Sequence, residues 1–258
     1  MSGPHGAAPQ PLVIREDRNG AAVLLLNRPD QRNALRYESW SELSAALTAV
    51  ISSVDTAGVV IAGSNGFFSS GGDLKTGPAH GHSAVAPAAR VEHAQRVMEF
   101  LRSVPVPTVA AVEGAAVGLG WSLALSCDLV VAADDAFFSA PFVARAVVPD
   151  GGLAWRLTQQ LGRHRAAAVL LRGTKVSARE AYSAGLVTDL VPPGHAIDTA
   201  VDIVCELAAA DAGAVELTKR LIGSVEAAAL AAFHPLELAT AVVAQQRSAA
   251  GAGRSSFA

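Results

Sequence analysis

The stretch from Val112 to Ala124 constrains this chain more than any other. An extended apolar run, Thr108 to Val112, passes into small residues and then into a helical pattern that starts near Gly118. The first N–H groups of such a helix have no intrahelical acceptor, and they favour negative charge. Small residues around Gly118 and Gly120 let a ligand approach the backbone closely. The stretch therefore reads as a seat for an oxyanion. A second glycine turn, Ser69-Ser70-Gly71-Gly72-Asp73, offers another backbone donor.

The chain around it has 258 residues, of which 51% are hydrophobic. That is ample for one large domain, or for one domain with a small appendage. The formal net charge is −3 and no long basic run occurs, which argues against a nucleic-acid partner. Cys127 and Cys205 are too few and too far apart for a disulfide framework, so free thiols and a reducing, cytoplasmic setting are expected. No unbroken apolar run approaches the length of about 18 residues that a membrane span needs, and no membrane partner is expected. Residues 1–11 read as a loose tail without the apolar core of a signal peptide.

Buried strands alternate with amphipathic helices along the chain, the mark of an α/β protein. Strands are expected at Ala21 to Leu26, Val59 to Gly63, Thr108 to Val112 and Asp128 to Ala132. Helices are expected where Trp40, Leu43, Leu47, Val50 and Ile51 share a face, and again where Val91, Ala94, Met98 and Leu101 do. Thr76 to Ala89, rich in Gly, Pro, Ala and His, reads as a mobile loop over a ligand. Beyond Gly152 the chain turns mostly helical. Gly162 is expected to stop one helix, Ser177 with Glu180 has capping-box spacing, and Pro235 starts or kinks a helix. A boundary near Pro192-Pro193-Gly194 divides residues 12–193 from a helical region, 194–258, with a frayed tail from Gly251.

Several motifs coincide in order. They are Leu26-Asn27-Arg28-Pro29 with Arg32-Asn33-Ala34-Leu35, then Phe68 to Lys75, then Gly114 to Gly120 with Cys127-Asp128. Val148-Pro149-Asp150-Gly151-Gly152 and Ser177 to Ala181 with Gly185-Leu186-Val187 complete the set. The ordered set resembles the enoyl-CoA hydratase/isomerase (crotonase) superfamily. The resemblance implies a spiral of ββα units with a helical C-terminal region, assembled as a homotrimer or a dimer of trimers. It also implies an acyl-CoA substrate, with no separate cofactor and no metal. By motif position the family's oxyanion hole falls on the backbone N–H groups of Gly72 and Leu119, fixed donors that stabilise an enolate as it forms.

The resemblance also shows what is missing. Hydratases of this family use two glutamates, and their positions here hold Ser122 and Phe142. Neither side chain does carboxylate acid/base work at neutral pH, so two-glutamate hydration is not expected. Asp150 remains, at a position where some family members carry a catalytic aspartate. One carboxylate that takes a proton from one carbon and returns it to another suffices to move a double bond into conjugation with the thioester. Asp150 is therefore the expected proton shuttle, beside a pocket formed by Ser122, Phe142 and Trp121, where Phe142 keeps the carboxyl dry and basic. Two alternatives use Asp150 otherwise: thioester hydrolysis or ring chemistry in an enzyme, and an N-cap on the following helix. A third is an acyl-CoA-binding homologue without chemistry.

For the CoA body, the resemblance places Arg32, Ala34, Ser70, Asp73 and Leu74 beside the pantetheine and nucleotide. Lys75 and Arg28 are candidate phosphate partners. Gly120 to Ala124 is similar to a nucleophile elbow, but the flanking motifs do not fit a hydrolase with Ser122 as nucleophile. Gly118-Leu119-Gly120 lacks the third glycine of a dinucleotide fingerprint. His80, His82 and His93 lack a Cys or carboxylate frame for a metal. Glu113 is expected to make a structural hydrogen bond at a strand end rather than to face the pocket.

Overall fold

In the computed structural model, the residues described are 10–76, 80–81 and 86–247. The expectations for the N-terminal tail, the C-terminal tail, His82 and most of the loop after Thr76 lie outside them. The architecture is α/β. A six-stranded sheet runs in the order β1 (Val13–Arg18), β2 (Ala21–Leu26), β3 (Gly58–Gly63), β4 (Thr108–Val112), β6 (Leu129–Ala133), β9 (Asp189–Val191). Only the β1–β2 pair is antiparallel. A second sheet joins β5 (Ala115–Val117), β7 (Phe137–Ser139) and β8 (Val176–Ser177).

Period-two alternation explains why the central strands are apolar throughout. Leu24, Ile61, Ala110 and Ala132 face one core, which also contains α1 (Tyr37–Ile51), α2 (Ala89–Ser103) and α3 (Leu119–Ala124) residues. Their neighbours Val23, Val60, Ala111 and Val131 face the other core, with Ala200, Val201 and Val204 of α6 (Ala196–Ala208). A strand buried on both faces has no polar side to show. Glu113 supports this packing as expected from its place at the end of β4: its carboxylate accepts the Gly194 N–H at 3.0 Å and the Ala196 N–H at 2.9 Å, at the start of α6.

The expected strands and the first two helices are present, and Trp40, Leu43, Leu47 and Val50 are buried as one face, with Ile51 exposed. The β1 strand is an addition to the expected set. Its alternating charges hide it, but Asn19 and Gly20 both have positive φ (51° and 82°), the backbone of the tight hairpin turn that Asn-Gly favours. Within α4 (Leu153–Arg172) Gly162 has φ 71° and ψ 163°, so it ends the first helical run as expected, and a second run follows it to Arg172. The capping box opens α5 (Ala178–Ser183), where Ser177 Oγ accepts the Glu180 N–H and the Glu180 carboxylate accepts the Ser177 N–H.

The last described element, α7 (Ala212–Gln246), is one helix of 35 residues that runs through Pro235. Its buried residues Leu230, His234, Glu237, Ala241 and Ala244 form a stripe at alternating four- and three-residue spacing, the face by which a helix docks. One 18-residue window of α7 has a mean hydropathy of 1.6, enough by length and composition to cross a membrane. That value is an average over polar and apolar residues, so the expectation of no apolar run of that length stands. Alanines interspersed with polar residues raise the average without forming an unbroken apolar run. Glu113→Ala should cost about 1 kcal/mol of stability, the usual worth of a lost N-terminal acceptor, with no change in ligand binding; chemical denaturation beside a titration with an acyl-CoA checks both.

Candidate active site

The site begins with two chain segments that the fold presses together. Ser69 pairs with Ala116 as an isolated parallel bridge: the Ser69 N–H donates to Ala115 O (3.1 Å) and the Val117 N–H donates to Ser69 O (2.9 Å). The next residues approach so closely that a Cβ on Gly71 would stand 2.5 Å from Val117 O, and Gly71 has φ +89°. Only glycine fits both conditions. Buried Asn33 holds the far side of this loop, donating from Nδ2 to Ser64 O (2.9 Å) and Phe67 O (2.5 Å).

The geometry brings Gly72 and Leu119 to one cavity. Gly72 pairs with Leu35 in a second parallel bridge, made by the Leu35 N–H to Gly71 O and the Asp73 N–H to Leu35 O. In that pattern the Gly72 N–H points away from Leu35. Leu119 is the first residue of α3, after Gly118 at φ 53° and ψ −121°, so its N–H has no intrahelical acceptor. Gly72 and Leu119 both line a cavity of about 700 Å³, counted out to its open mouth. Ser70, Leu74, Val117, Phe142 and Val148 supply further wall, and among the described residues its charged side chains are Arg90, Arg145 and Asp150.

Asp150 is in this wall, and its carboxyl does not cap α4. The N-cap is Gly152, and no side chain bonds the helix from that position. Asp150 Oδ1 is buried without a hydrogen-bond partner in the chain. Burial pushes the carboxyl up to about 8, the charge of Glu237 adds to this, and Arg90 opposes it. Near neutral pH the group is therefore mainly a protonated acid, poised to ionise within the working range of an acid/base.

The hydratase positions are put to other uses. Ser122 is wholly buried, and its Oγ donates to Asp150 O at 2.9 Å. It steadies the Asp150 main chain and is not part of the cavity wall. Phe142 does line the cavity, with its ring 3.5 Å from where a Cβ on Gly118 would be. Trp121 is fully buried and packs against Phe138 with ring centroids 5.4 Å apart, so it belongs to the core behind the pocket.

The expected CoA-side residues fall into two groups. Ser70 and Leu74 line the cavity, Lys75 and Arg32 are exposed on its approach loops, and Ala34 is buried beneath them. Arg28 and Asp73 bind each other: Arg28 Nη1 lies 2.9 Å from Asp73 Oδ2 and donates to Ala34 O at 2.7 Å. Burial alone would raise the Asp73 carboxyl, but the Lys75 N–H, Arg28 and Arg90 outweigh it and hold the group below the usual range. Arg90 reaches the same loop from α2, donating from Nη1 to Asp73 O and to Thr76 O. His80 and His93 stack on Tyr37, at centroid distances of 3.7 and 4.4 Å. Among the described residues no group of three or more His, Cys, Asp or Glu is placed to hold a metal ion.

Glu237 was not foreseen. Its carboxylate, buried on α7, accepts the Gly152 N–H (2.9 Å to Oε2) and the Gln95 side-chain amide (2.9 Å to Oε1). The available signal was its place on a buried stripe: an acid at that spacing in an apolar helix needs partners.

The comparisons with known proteins agree with this geometry. The family model described as enoyl-CoA hydratase/isomerase matches residues 16–258. A probable enoyl-CoA hydratase of Rhodobacter capsulatus is 38% identical over 69% of this chain and 67% of its own length. The 2,3-dehydroadipyl-CoA hydratase of Escherichia coli is 31% identical over 86% of this chain and 84% of its own. Among solved structures, Pseudomonas aeruginosa OdaA superposes with a TM-score of 0.85 at 28% identity, covering 96% of this chain and 99% of that one. The chain belongs to the enoyl-CoA hydratase/isomerase family, with the crotonase fold. It is an acyl-CoA-processing enzyme of that family.

The Asp150 carboxyl carries a consequence for stability. Its ordinary value is 3.8, so between about pH 4 and pH 8 the folded chain holds a proton that the unfolded chain has released. Stability falls as pH rises through that window and levels off above it. Asp150→Asn should remove this slope and melt higher than the parent near pH 8, by at least roughly 2–4 °C, the shift that about 1 kcal/mol brings in a chain of this size. Thermal denaturation across the window reads it.

Proposed function

We propose that this enzyme moves a carbon–carbon double bond within an enoyl-CoA thioester, from the 3,4 to the 2,3 position, with Asp150 as the proton carrier. The observation that carries the reading is a single lining carboxyl, Asp150, in the cavity that Gly72 and Leu119 also line. Ionised Asp150 takes a proton from C2 of the substrate. The electron pair passes toward the thioester carbonyl and forms a dienolate, whose oxygen accepts the Gly72 and Leu119 N–H groups. Donors held in place before the reaction stabilise that charge without reorganising. Asp150 then delivers the proton to C4, and the conjugated 2-enoyl thioester results. One carboxyl serves both transfers, no water is added, and no redox group or metal enters the balance.

Hydration, the activity named for several relatives, fits the residues less well. It needs carboxylates to activate a water, and the two positions concerned carry Ser122, bonded to the Asp150 carbonyl, and Phe142. The exposed apolar side chains of Leu217, Leu221, Ile222 and Val225 on α7 support assembly into a homo-oligomer, the trimer or dimer of trimers expected from the family.

Two variants test the reading. Asp150→Asn should abolish conversion of 3-enoyl-CoA to 2-enoyl-CoA, by at least about 10²-fold, the low end for a positioned acid/base, while parent turnover should rise with pH toward a plateau above about 8. Undiminished turnover in folded Asp150→Asn, or hydration of 2-enoyl-CoA as the main activity, overturns it. Leu119→Pro deletes one donor at the first helical position, where proline is tolerated. It should lower kcat roughly 10²–10³-fold beyond the loss of stability from the buried Leu119 side chain, which circular dichroism and a Leu119→Ala control, retaining the N–H, measure separately.

A further inference from the structure

The turn that carries Asp150 is held from a distant part of the chain. Gly151 and Gly152 follow it with φ +67° and +77°, a left-handed turn that aims the Gly152 N–H toward α7. The carboxylate of Glu237 meets it there. Oε2 accepts the Gly152 N–H at 2.9 Å, and Oε1 lies 3.3 Å from the same nitrogen. Gln95 of α2 donates from Nε2 to Oε1 at 2.9 Å, and reaches His234 O at 3.4 Å. One helical turn before Glu237, His234 pairs through Nδ1 with Glu99 Oε1 at 3.0 Å.

The turn has little freedom to adopt another shape. A Cβ on Gly151 would stand 2.8 Å from both Met98 Cε and Ser122 Cβ, and one on Gly152 would stand 3.4 Å from Leu230 Cδ2. The glycine backbone is thus enclosed by α2, α3 and α7. Burial raises the Glu237 carboxyl above its usual range, while its partners, all of them donors, work in the opposite direction and favour the ionised form. An ionised neighbour opposes ionisation of Asp150, whereas Arg90 favours it.

We propose that Glu237 is a positioning residue of the active site: from the C-terminal helix it clamps the Gly151–Gly152 turn and thereby sets where the Asp150 carboxyl stands. Its negative charge also makes Asp150 a stronger base once ionised, because the groups facing Asp150 are then Glu237 from α7 and Arg90 from α2, one of each sign. His234 and Glu99 stand one bond further out and hold α7 to α2. The inference rests on the proton-transfer role proposed above for Asp150, and docking of α7 becomes part of assembling that role.

The test uses the full chain with Glu237→Gln and Glu237→Ala. Glutamine retains an oxygen for the Gly152 N–H and removes the charge, so it should fold. The pH profile of kcat for 3-enoyl-CoA should move its rising limb down by about one unit or more in Glu237→Gln, the size of effect expected of a nearby like charge, with KM changed less than about threefold. Glu237→Ala, which removes the clamp as well, should lose at least about tenfold in kcat at every pH. A Glu237→Gln profile that superposes on the parent's, or a folded Glu237→Ala with parental kcat, overturns the proposal. Carbon NMR of labelled aspartate, with Asp150→Asn to assign the signal, follows the Asp150 carboxyl without turnover. A midpoint that falls in Glu237→Gln supports the charge effect, and an unmoved one overturns it. If the parent turns over no enoyl-CoA, the proposed isomerisation fails while this titration still decides the role of Glu237.

Discussion

Everything at the site depends on one close approach of backbone to backbone, the meeting of Ser69–Gly72 with Val117–Leu119. Two hydrogen bonds at the Ser69–Ala116 bridge bring the segments together, and a glycine at 71 lets them touch. A side chain at Gly71 would force the segments apart, and Gly72 and Leu119 would no longer line one cavity. The surrounding architecture supports this contact. The parallel sheet fixes the strand that leads into Gly118, and Asn33, Arg28 and Arg90 tie the opposite loop to its neighbours. The strongest local charges, Arg28 and Asp73, are largely consumed in that structural work rather than offered to a ligand.

In the proposed reaction, catalytic capacity comes from contrast in environment. The two N–H groups are neutral donors of fixed direction, and their worth grows with the exclusion of water by Phe142 and the apolar wall. The same dryness acts on Asp150 in the opposite sense, because it penalises the charged carboxylate. A group raised to about 8 holds its proton until ionisation is driven by pH or by a bound partner, and is then a strong base. Desolvation thus strengthens both halves of the site.

Much of this was legible in the sequence. Period-two apolar strands, the helical faces of α1 and α2, and the ordered motifs were sufficient for the fold, and the motifs also picked out Gly72, Leu119 and Asp150, which line one cavity. Illegible features were those in which a residue serves a neighbour instead of itself. Nothing local in Ser122 says that its hydroxyl will bond the Asp150 carbonyl, because that contact spans 28 residues. Trp121 lies two residues from Leu119 in sequence, yet its direction on α3 sends it into the core. Glu237 was invisible for the same reason at greater distance, its partner Gly152 lying 85 residues away. The β1 strand was missed because its side chains are charged, although its Asn-Gly turn was in plain view.

The packing around Ser122 has a further consequence for how this enzyme can change. Its Cβ would lie within 2.8 Å of any side chain at Gly151, and its hydroxyl ties down the main chain of the catalytic turn. A glutamate introduced at 122 would meet the Gly151 backbone and break the bond that steadies the Asp150 main chain. One introduced at 142 would remove an apolar ring from the wall that Asp150 also lines. The packing that accommodates one carboxyl here resists the addition of two.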